Sequence, residues 1–285
     1  MESKDPDPID YLTVVTGISS NHYSESLDMI GTVHYYLPNS DLLIYDLGLK
    51  HYQVKVLQKL RNTYVILYNY SRYPQYDNNV PVFMGCYTWK VHILHEIKRE
   101  HQELRSKWNS RSNQLFLWLD ASSRIVKPMD SCIKTLKSFP LVSRAKHLPE
   151  HNIVAFAKDS TLRYLNITRE SMRGVPGLTA NILLLNKSNP IAQFLLEKWV
   201  DCAFHRECIC GDGLPPYLCG LIGGIPKGTV EYNGCHRYDQ TALSLLVAKY
   251  FGKSQEVTSE DCSSTFHVER RPTMNWRRYI TLKKH

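Results

Sequence analysis

The sequence predicts an α/β fold, a mixed, mainly parallel sheet with helices on both faces, and two observations carry that prediction. Strand-like and helix-like stretches alternate twice between residues 11 and 68, the pattern of right-handed βαβ units. Further on, Leu115–Leu119 reads Leu-Phe-Leu-Trp-Leu with no polar break. That suits a strand buried on both faces, and Asp120 ends the run.

In chain order, 11–16 forms the first strand, closed by Gly17 and the polar loop Ser19, Ser20, Asn21. The helix after it sets Leu27, Ile30, Val33 and Leu37 on one face and stops at Pro38-Asn39. A second strand over 41–47, a helix over 50–60 with Val54, Leu57 and Leu60 inward, and a third strand over 64–68 follow. After a Tyr- and Pro-rich connection, a helix over 87–101 aligns Lys90 with Ile93, Leu94 and Ile97. A lysine heading an inward stripe either snorkels out or reaches an anion at the sheet edge. Beyond the Leu115–Leu119 strand, 153–157 and 182–185 read as further short strands, and 191–204 as a helix burying Leu195, Trp199 and Cys202. The irregular segment 207–226 covers one end of the sheet. A helix over 241–251 ends at Gly252, and Asp239 stands where an ordinary N-cap would. The organisation expected is a disordered polar stretch over 1–10, a single domain over 11–260 and a basic tail over 261–285.

At 285 residues and 43% hydrophobic content, the chain is long enough for a full core. The formal charge is +8, but Arg270, Arg271, Arg277, Arg278, Lys283 and Lys284 concentrate in the tail. The body is only mildly basic, and no basic-aromatic groove points to nucleic acid. No run approaches the ~20 apolar residues of a spanning helix, and 1–10 does not read as a signal sequence. Five of the eight cysteines fall between Cys202 and Cys235 with no Cys-x-x-Cys pair or His-x-x-x-His, so disulfides formed in an oxidising lumen fit better than zinc. Cys202 and Cys208 are the nearest pair. Three sequons, at Asn69, Asn166 and Asn186, lean the same way. The expected location is the secretory pathway, in the Golgi lumen, with an anchor absent from this chain. A cytosolic protein with free thiols is the alternative.

Asp120, Ser122 and Arg124 are the first site candidates, because open α/β sheets bind ligands at the carboxyl ends of their strands. The plainer alternative is an Asp that caps the next turn. The loop after the first strand, Gly17-Ile-Ser-Ser-Asn, holds no Gly-x-Gly-x-x-Gly and no Gly-Lys-Ser/Thr, and no Gly-x-Ser-x-Gly occurs. An ordinary dinucleotide or methyl-donor loop, a P-loop and an α/β-hydrolase elbow are thereby disfavoured.

Seven stretches stand in an order that resembles a known family: Val14-Val-Thr-Gly-Ile-Ser-Ser-Asn-His-Tyr23; Tyr45-Asp-Leu-Gly-Leu49; Tyr73-Pro-Gln-Tyr76; Tyr87-Thr-Trp-Lys90; Trp118-Leu-Asp-Ala-Ser-Ser-Arg124; Trp199-Val-Asp-Cys-Ala203 with Cys208; and Cys235-His-Arg-Tyr-Asp-Gln-Thr-Ala-Leu243. They resemble the family catalogued as domain of unknown function 1647, which is related to nucleotide-diphospho-sugar transferases. The resemblance implies a Rossmann-like fold of GT-A type and a glycosyltransferase that moves a sugar from a nucleotide-sugar donor to a glycan or glycoprotein acceptor. It implies that Ser19, Ser20, Asn21 and Tyr23 line the nucleotide pocket, that Asp46 contacts the ribose or base, and that Lys90 and Arg124 face the donor phosphates. Asp120 would bind a cation, Mn²⁺ or Mg²⁺, or a sugar hydroxyl, with Ser122 and His267 as further metal candidates. Asp239 would be the candidate base, with Asp120 beside it as the other catalytic candidate. His236 and His267 read as satisfied structural histidines otherwise. One departure stands out: Asp-Ala-Ser replaces Asp-x-Asp, and a serine hydroxyl is a poor cation ligand. Fewer protein ligands to the cation, its replacement by Lys90 and Arg124, or loss of catalysis would each follow. A non-catalytic glycan- or nucleotide-binding protein is the alternative function, and a methyltransferase-like protein a more distant one.

Overall fold

A computed structural model describes residues 12–74, 86–105, 115–138, 141–143, 152–175, 177–212, 232, 234–252 and 260–283. The elements run β1 (Leu12–Ile18), α1 (Tyr23–Tyr36), β2 (Asp41–Asp46), α2 (His51–Gln58), β3 (Thr63–Leu67), α3 (Thr88–Arg105), β4 (Leu115–Leu119), β5 (Ser123–Ile125), α4 (Asp130–Ser138) and β6 (Leu141–Ser143). Then come α5 (Asp159–Tyr164), β7 (Ile182–Asn186), α6 (Pro190–Ala203), α7 (Arg206–Ile209), α8 (Tyr238–Phe251), α9 (Glu260–Ser263) and β8 (Phe266–Val268). The expected disordered stretch over 1–10 and most of the irregular segment 207–226 lie outside the described residues.

Six strands form one sheet in the order β3-β2-β1-β4-β7-β6, and β5 pairs with β8 in a separate ribbon. β1, β2, β3 and β4 are parallel, while β7 runs antiparallel to both β4 and β6. The mixed, mainly parallel sheet read from the sequence is therefore present. The central strands β1, β4 and β7 are mainly apolar because both faces of the sheet are covered there. Val15, Leu43, Tyr45, Trp118 and Leu183 join one core with α3, α6 and α8. Val14, Leu42, Ile44, Leu117 and Leu184 point the other way, to α1 and α4.

Two boundaries differ from expectation. Residues 153–157, read as a strand from an apolar run, contain a 3₁₀ turn, Ile153–Phe156, which the Asn152 side chain caps by accepting from the Val154 N–H. A short apolar run does not separate a strand from a buried turn. The last long helix begins at Tyr238, so Asp239 is its second residue and Arg237 the N-cap, which removes the capping role read for Asp239. The thiols read as disulfides are bridged: Cys86–Cys210, Cys132–Cys262 and Cys202–Cys208, with Cys235 also disulfide-bonded. The segment read as a basic tail carries β8 and then lies along α1. Asp28 accepts from the Thr273 and Met274 N–H groups, His34 Nδ1 accepts from the Thr281 N–H, and Leu282 bridges to Leu60. Among the described residues no helix is long and apolar enough to cross a membrane.

Candidate active site

The sheet order fixes where a ligand fits. From β1 the chain builds β2 and β3 on one side and β4 on the other, so the crevice beyond the carboxyl ends of β1 and β4 is the topological switch point. The loops that open onto it are Ser19–Asn21 after β1 and Asp120–Ser122 after β4. The first turns of α3 and α8 add Lys90 and Asp239.

There Lys90 Nζ lies 3.2 Å from Asp120 Oδ1 and 2.8 Å from Asp239 Oδ2, and donates to the Ala180 carbonyl at 2.9 Å. The lysine is 4% exposed, so the snorkelling reading is set aside. Its ammonium also sits 5.6 Å from the centroid of the Trp118 ring. Trp118 and Asp120, two apart on a strand, share a side, and Trp118 Nε1 donates to Asp120 Oδ1 at 2.7 Å. Burial opposes the Lys90 charge, but Asp120 and then Asp239 outweigh it and hold the lysine pKa above its ordinary value. Burial lifts the Asp239 carboxyl above the usual range, and Lys90 pulls against that rise. The directions are compatible: one ammonium divided between two carboxylates compensates neither in full. The members differ in access, since the Asp239 side chain is 8% exposed and that of Asp120 32%.

The surroundings hold this arrangement in unusual backbone. Cys86, Tyr87 and Tyr238 all have positive φ, at 55°, 54° and 43°. Such values cost energy in non-glycine residues and persist where neighbours enforce them. Here the Cys86–Cys210 bridge and the Tyr87–Tyr238 ring contact, 6.0 Å between centroids, flank the two helix starts.

The structure separates the other candidates. In the β1 loop, Ser19 Oγ donates to Asn21 Oδ1 at 2.6 Å, the Ser20 carbonyl faces Gln53, and Tyr23 opens α1 with its ring edge-on to Tyr52. Asp46 closes β2, and its Oδ1 accepts from the Gly48 and Leu49 N–H groups at 2.8 and 2.6 Å. Arg124 is 2% exposed and donates to the carbonyls of Ala121, Ser123 and Glu25, with Asp28 Oδ2 at 3.9 Å. Its guanidinium therefore ties β5 to α1. His236 is buried between the Phe156 and Ile209 carbonyls, and burial lowers its pKa to about 4. His267 is exposed on β8, opposite Arg124, and the Ser122 carbonyl accepts from the Glu269 N–H.

Three residues escaped the sequence reading. His22, paired with Glu25 at 2.6 Å, has a pKa raised first by that bond and, more weakly, by Asp120. Tyr87 is pushed up by burial and then by Asp239. Asn181 accepts from the Asp120 N–H and the Ser123 hydroxyl through its carbonyl, while its buried Oδ1 has no hydrogen-bond partner among the described residues. None of the three gave a readable signal, whereas Trp118, a fourth, did through its i, i+2 relation to Asp120.

A resident divalent cation does not fit these residues. Mn²⁺ or Mg²⁺ would need one or two carboxylates free to coordinate it, with water and substrate phosphates completing its shell. The two site carboxylates instead converge on an ammonium, and among the described residues no three His, Cys, Asp or Glu side chains are placed to hold a metal.

No curated protein matches the chain. Similar solved structures include the galactosyltransferase LgtC in complex with donor and acceptor sugar analogues, at 14% identity over 66% of this chain and 59% of that chain, with a TM-score of 0.37. This chain thus spans less than two thirds of that enzyme. Mouse xyloside xylosyltransferase 1, apo form, is similar at 11% identity over 85% and 82% of the two chains, with a TM-score of 0.42. Core-mannan synthase A from Aspergillus fumigatus, in a Mn/GDP form, is similar at 10% identity over 86% and 73%, with a TM-score of 0.43. The family read from the ordered motifs is matched directly: residues 5–95 fit the sequence model of the family described as Protein of unknown function (DUF1647).

Proposed function

We propose that this chain is a GT-A-type glycosyltransferase that moves a sugar from a nucleotide-sugar donor to a hydroxyl of a glycan or glycoprotein acceptor. The observation that carries the proposal is the buried Lys90–Asp120–Asp239 cluster at the switch-point crevice. The β1 loop, Ser19 to Tyr23, lines the nucleotide side of the crevice, and Asp46 borders it from β2. Asp120, the more exposed carboxylate, accepts a hydroxyl of the bound sugar. Asp239 is the base: the acceptor oxygen bonds to the anomeric carbon, the bond from that carbon to the diphosphate oxygen breaks, and the acceptor proton passes to Asp239. A carboxyl held above its usual pKa is the better proton acceptor for this step. The disulfides and the sequons at Asn69, Asn166 and Asn186 support work in an oxidising secretory lumen, the Golgi included.

The test is a thermal-shift screen of UDP- and GDP-sugars with and without Mn²⁺, followed by calorimetry. A donor that raises the melting temperature supports the proposal, because selective binding to the native state stabilises it. A screen with no shift in either buffer overturns it. The second reading, a binding protein without turnover, draws on the Asp-Ala-Ser departure. It predicts equal donor hydrolysis by wild type, Asp120→Asn and Asp239→Asn.

A further inference from the structure

We infer that Lys90 Nζ is the built-in cation of this crevice: it occupies the position between Asp120 and Asp239 that a divalent ion would take, and the site binds its diphosphate ligand without metal. The inference rests on the glycosyltransferase reading for the identity of the ligand, but not for the occupancy of the carboxylate pair.

Lys90 Nζ donates to the Ala180 carbonyl at 2.9 Å and forms ion pairs with Asp120 Oδ1 at 3.2 Å and Asp239 Oδ2 at 2.8 Å, so its charge is already shared between both carboxylates. A hard divalent ion at that point would need the same oxygens, and it would meet a full positive charge at contact distance. The lysine cannot swing away cheaply. It is 4% exposed, and Trp118 covers it while donating to the same Asp120 oxygen. Lys90 also stands in the first turn of α3, where the helix dipole disfavours a cation, so the two carboxylates are what keep it charged there.

The sequence carries the complementary change. Where an Asp-x-Asp would supply a second carboxylate, this chain has Ser122, and Arg124 is engaged by backbone carbonyls. With one carboxylate rather than two on the β4 loop, and that one already paired with Lys90, no free carboxylate pair is left there for a divalent ion. The proton transfer proposed above adds to this. A proton arriving on Asp239 cancels one of the two charges that hold Lys90, and its positive charge then acts on the departing diphosphate.

Two measurements separate this inference from the function it serves. The first uses no nucleotide: Mn²⁺ is titrated at pH 8 into wild type, Lys90→Met, Lys90→Ala and Lys90→Met/Asp120→Asn, and bound metal is read by electron paramagnetic resonance. Wild type is expected to bind no Mn²⁺ at the carboxylate pair, whereas Lys90→Met gains a site at least tenfold tighter, which the added Asp120→Asn removes. One tight Mn²⁺ per wild-type chain, lost in Asp120→Asn, would overturn the inference. So would a folded Lys90 variant with no gain. If neither Lys90 variant folds, the wild-type titration alone decides. The second measurement is the shift in melting temperature with UDP and GDP in EDTA against Mn²⁺. Equal shifts support metal-free binding, and a shift seen only with Mn²⁺ overturns it. No shift in either buffer sinks the glycosyltransferase reading and leaves the Mn²⁺ titration to decide the role of Lys90.

Discussion

Lys90 and Arg124 invite comparison because both are basic, both are buried, and both were expected to face donor phosphates. Lys90 is 4% exposed and Arg124 2%. Their partners differ in kind. Lys90 meets two carboxylates and one carbonyl, so its neighbourhood carries net negative charge at the mouth of the sheet. Arg124 meets three carbonyls, with one carboxylate, Asp28, at 3.9 Å. An arginine fork suits several fixed carbonyls, whereas a lysine is a compact point charge whose balance a nearby proton can change. The first pattern holds two elements together, and the second leaves charge to be redistributed. Sequence position could not separate them, since both residues follow motifs at strand or helix starts.

The largest effect expected from this comparison is on stability. Arg124→Ala leaves three carbonyls short of a donor and Asp28, which is fully buried, without its cation. Loss of one partner from a buried charged network costs about 3–5 kcal/mol. Urea unfolding should show that loss, and Arg124→Lys should recover only part of it because a compact ammonium does not reproduce the planar fork that reaches Ala121 and Ser123 with one nitrogen and Glu25 with the other. Full recovery by lysine would erase the distinction drawn here.

Lys90 should respond differently, through its charged partners. Lys90→Met leaves two like-charged carboxylates facing each other and costs on the order of 3 kcal/mol. Adding Asp239→Asn removes one of those charges, so the double variant should be more stable than Lys90→Met alone, with a coupling of about 1–3 kcal/mol. The parallel pair, Arg124→Met with Asp28→Asn, should show little rescue, because the carbonyls stay unsatisfied and Asp28 also anchors the Thr273 and Met274 N–H groups. A complete double-mutant cycle for each pair, measured by urea unfolding, checks both statements.

A third class of buried base sharpens the contrast. His34, His92 and His236 have neither arrangement, and burial lowers their pKa values to about 4, 3 and 4. They are neutral in the fold and take protons only when unfolded, near the ordinary value of 6.5. The unfolded state therefore binds more protons below pH 6.5, and stability present above that value is lost as pH falls toward 4. Each histidine contributes up to about 1.4 kcal/mol per pH unit in that window. Urea midpoints at pH 7.5, 6.5 and 5.5 should fall slightly over the first interval and about three times as far over the second.

The sheet was legible because it is written in local pattern. Leu115–Leu119 and the βαβ alternation before it depend on runs of apolar residues that any parallel sheet requires. Asp120 was legible for a similar reason, as a carboxylate ending such a run. The ribbon of β5 with β8 was not, because it joins Ser123–Ile125 to Phe266–Val268, and each strand is too short to show a period. The meeting of Lys90 with Asp239 was only half legible. Each residue stood in a motif worth noting, but nothing local says that the starts of α3 and α8 converge on one strand end. The partners of Arg124 were not legible for the converse reason: the residue follows the end of β4 that opens on the crevice, and only the fold shows Glu25 and Asp28 beside it on α1.

Asp46 gives the smallest and most discriminating test, because a ligand contact and a loop tie make different demands on the same carboxylate. Its Oδ1 accepts from two consecutive backbone N–H groups, Gly48 and Leu49, in a turn where Gly48 has a φ of 114°. An asparagine keeps the acceptor oxygen but not its charge, so Asp46→Asn should weaken both bonds and cost less than about 1 kcal/mol. Asp46→Ala removes both bonds and should cost about 1–2 kcal/mol, in line with the net worth of buried or half-buried hydrogen bonds. A ribose hydroxyl reads the other property of the residue, its negative charge, since a bond to a carboxylate is stronger than one to a neutral amide. Calorimetry on Asp46→Asn thus isolates the nucleotide role: nucleotide binding weakened by more than the small loss of stability accounts for places the ribose against Asp46. Equal binding leaves it, like Arg124, a residue that shapes the crevice from outside the contact.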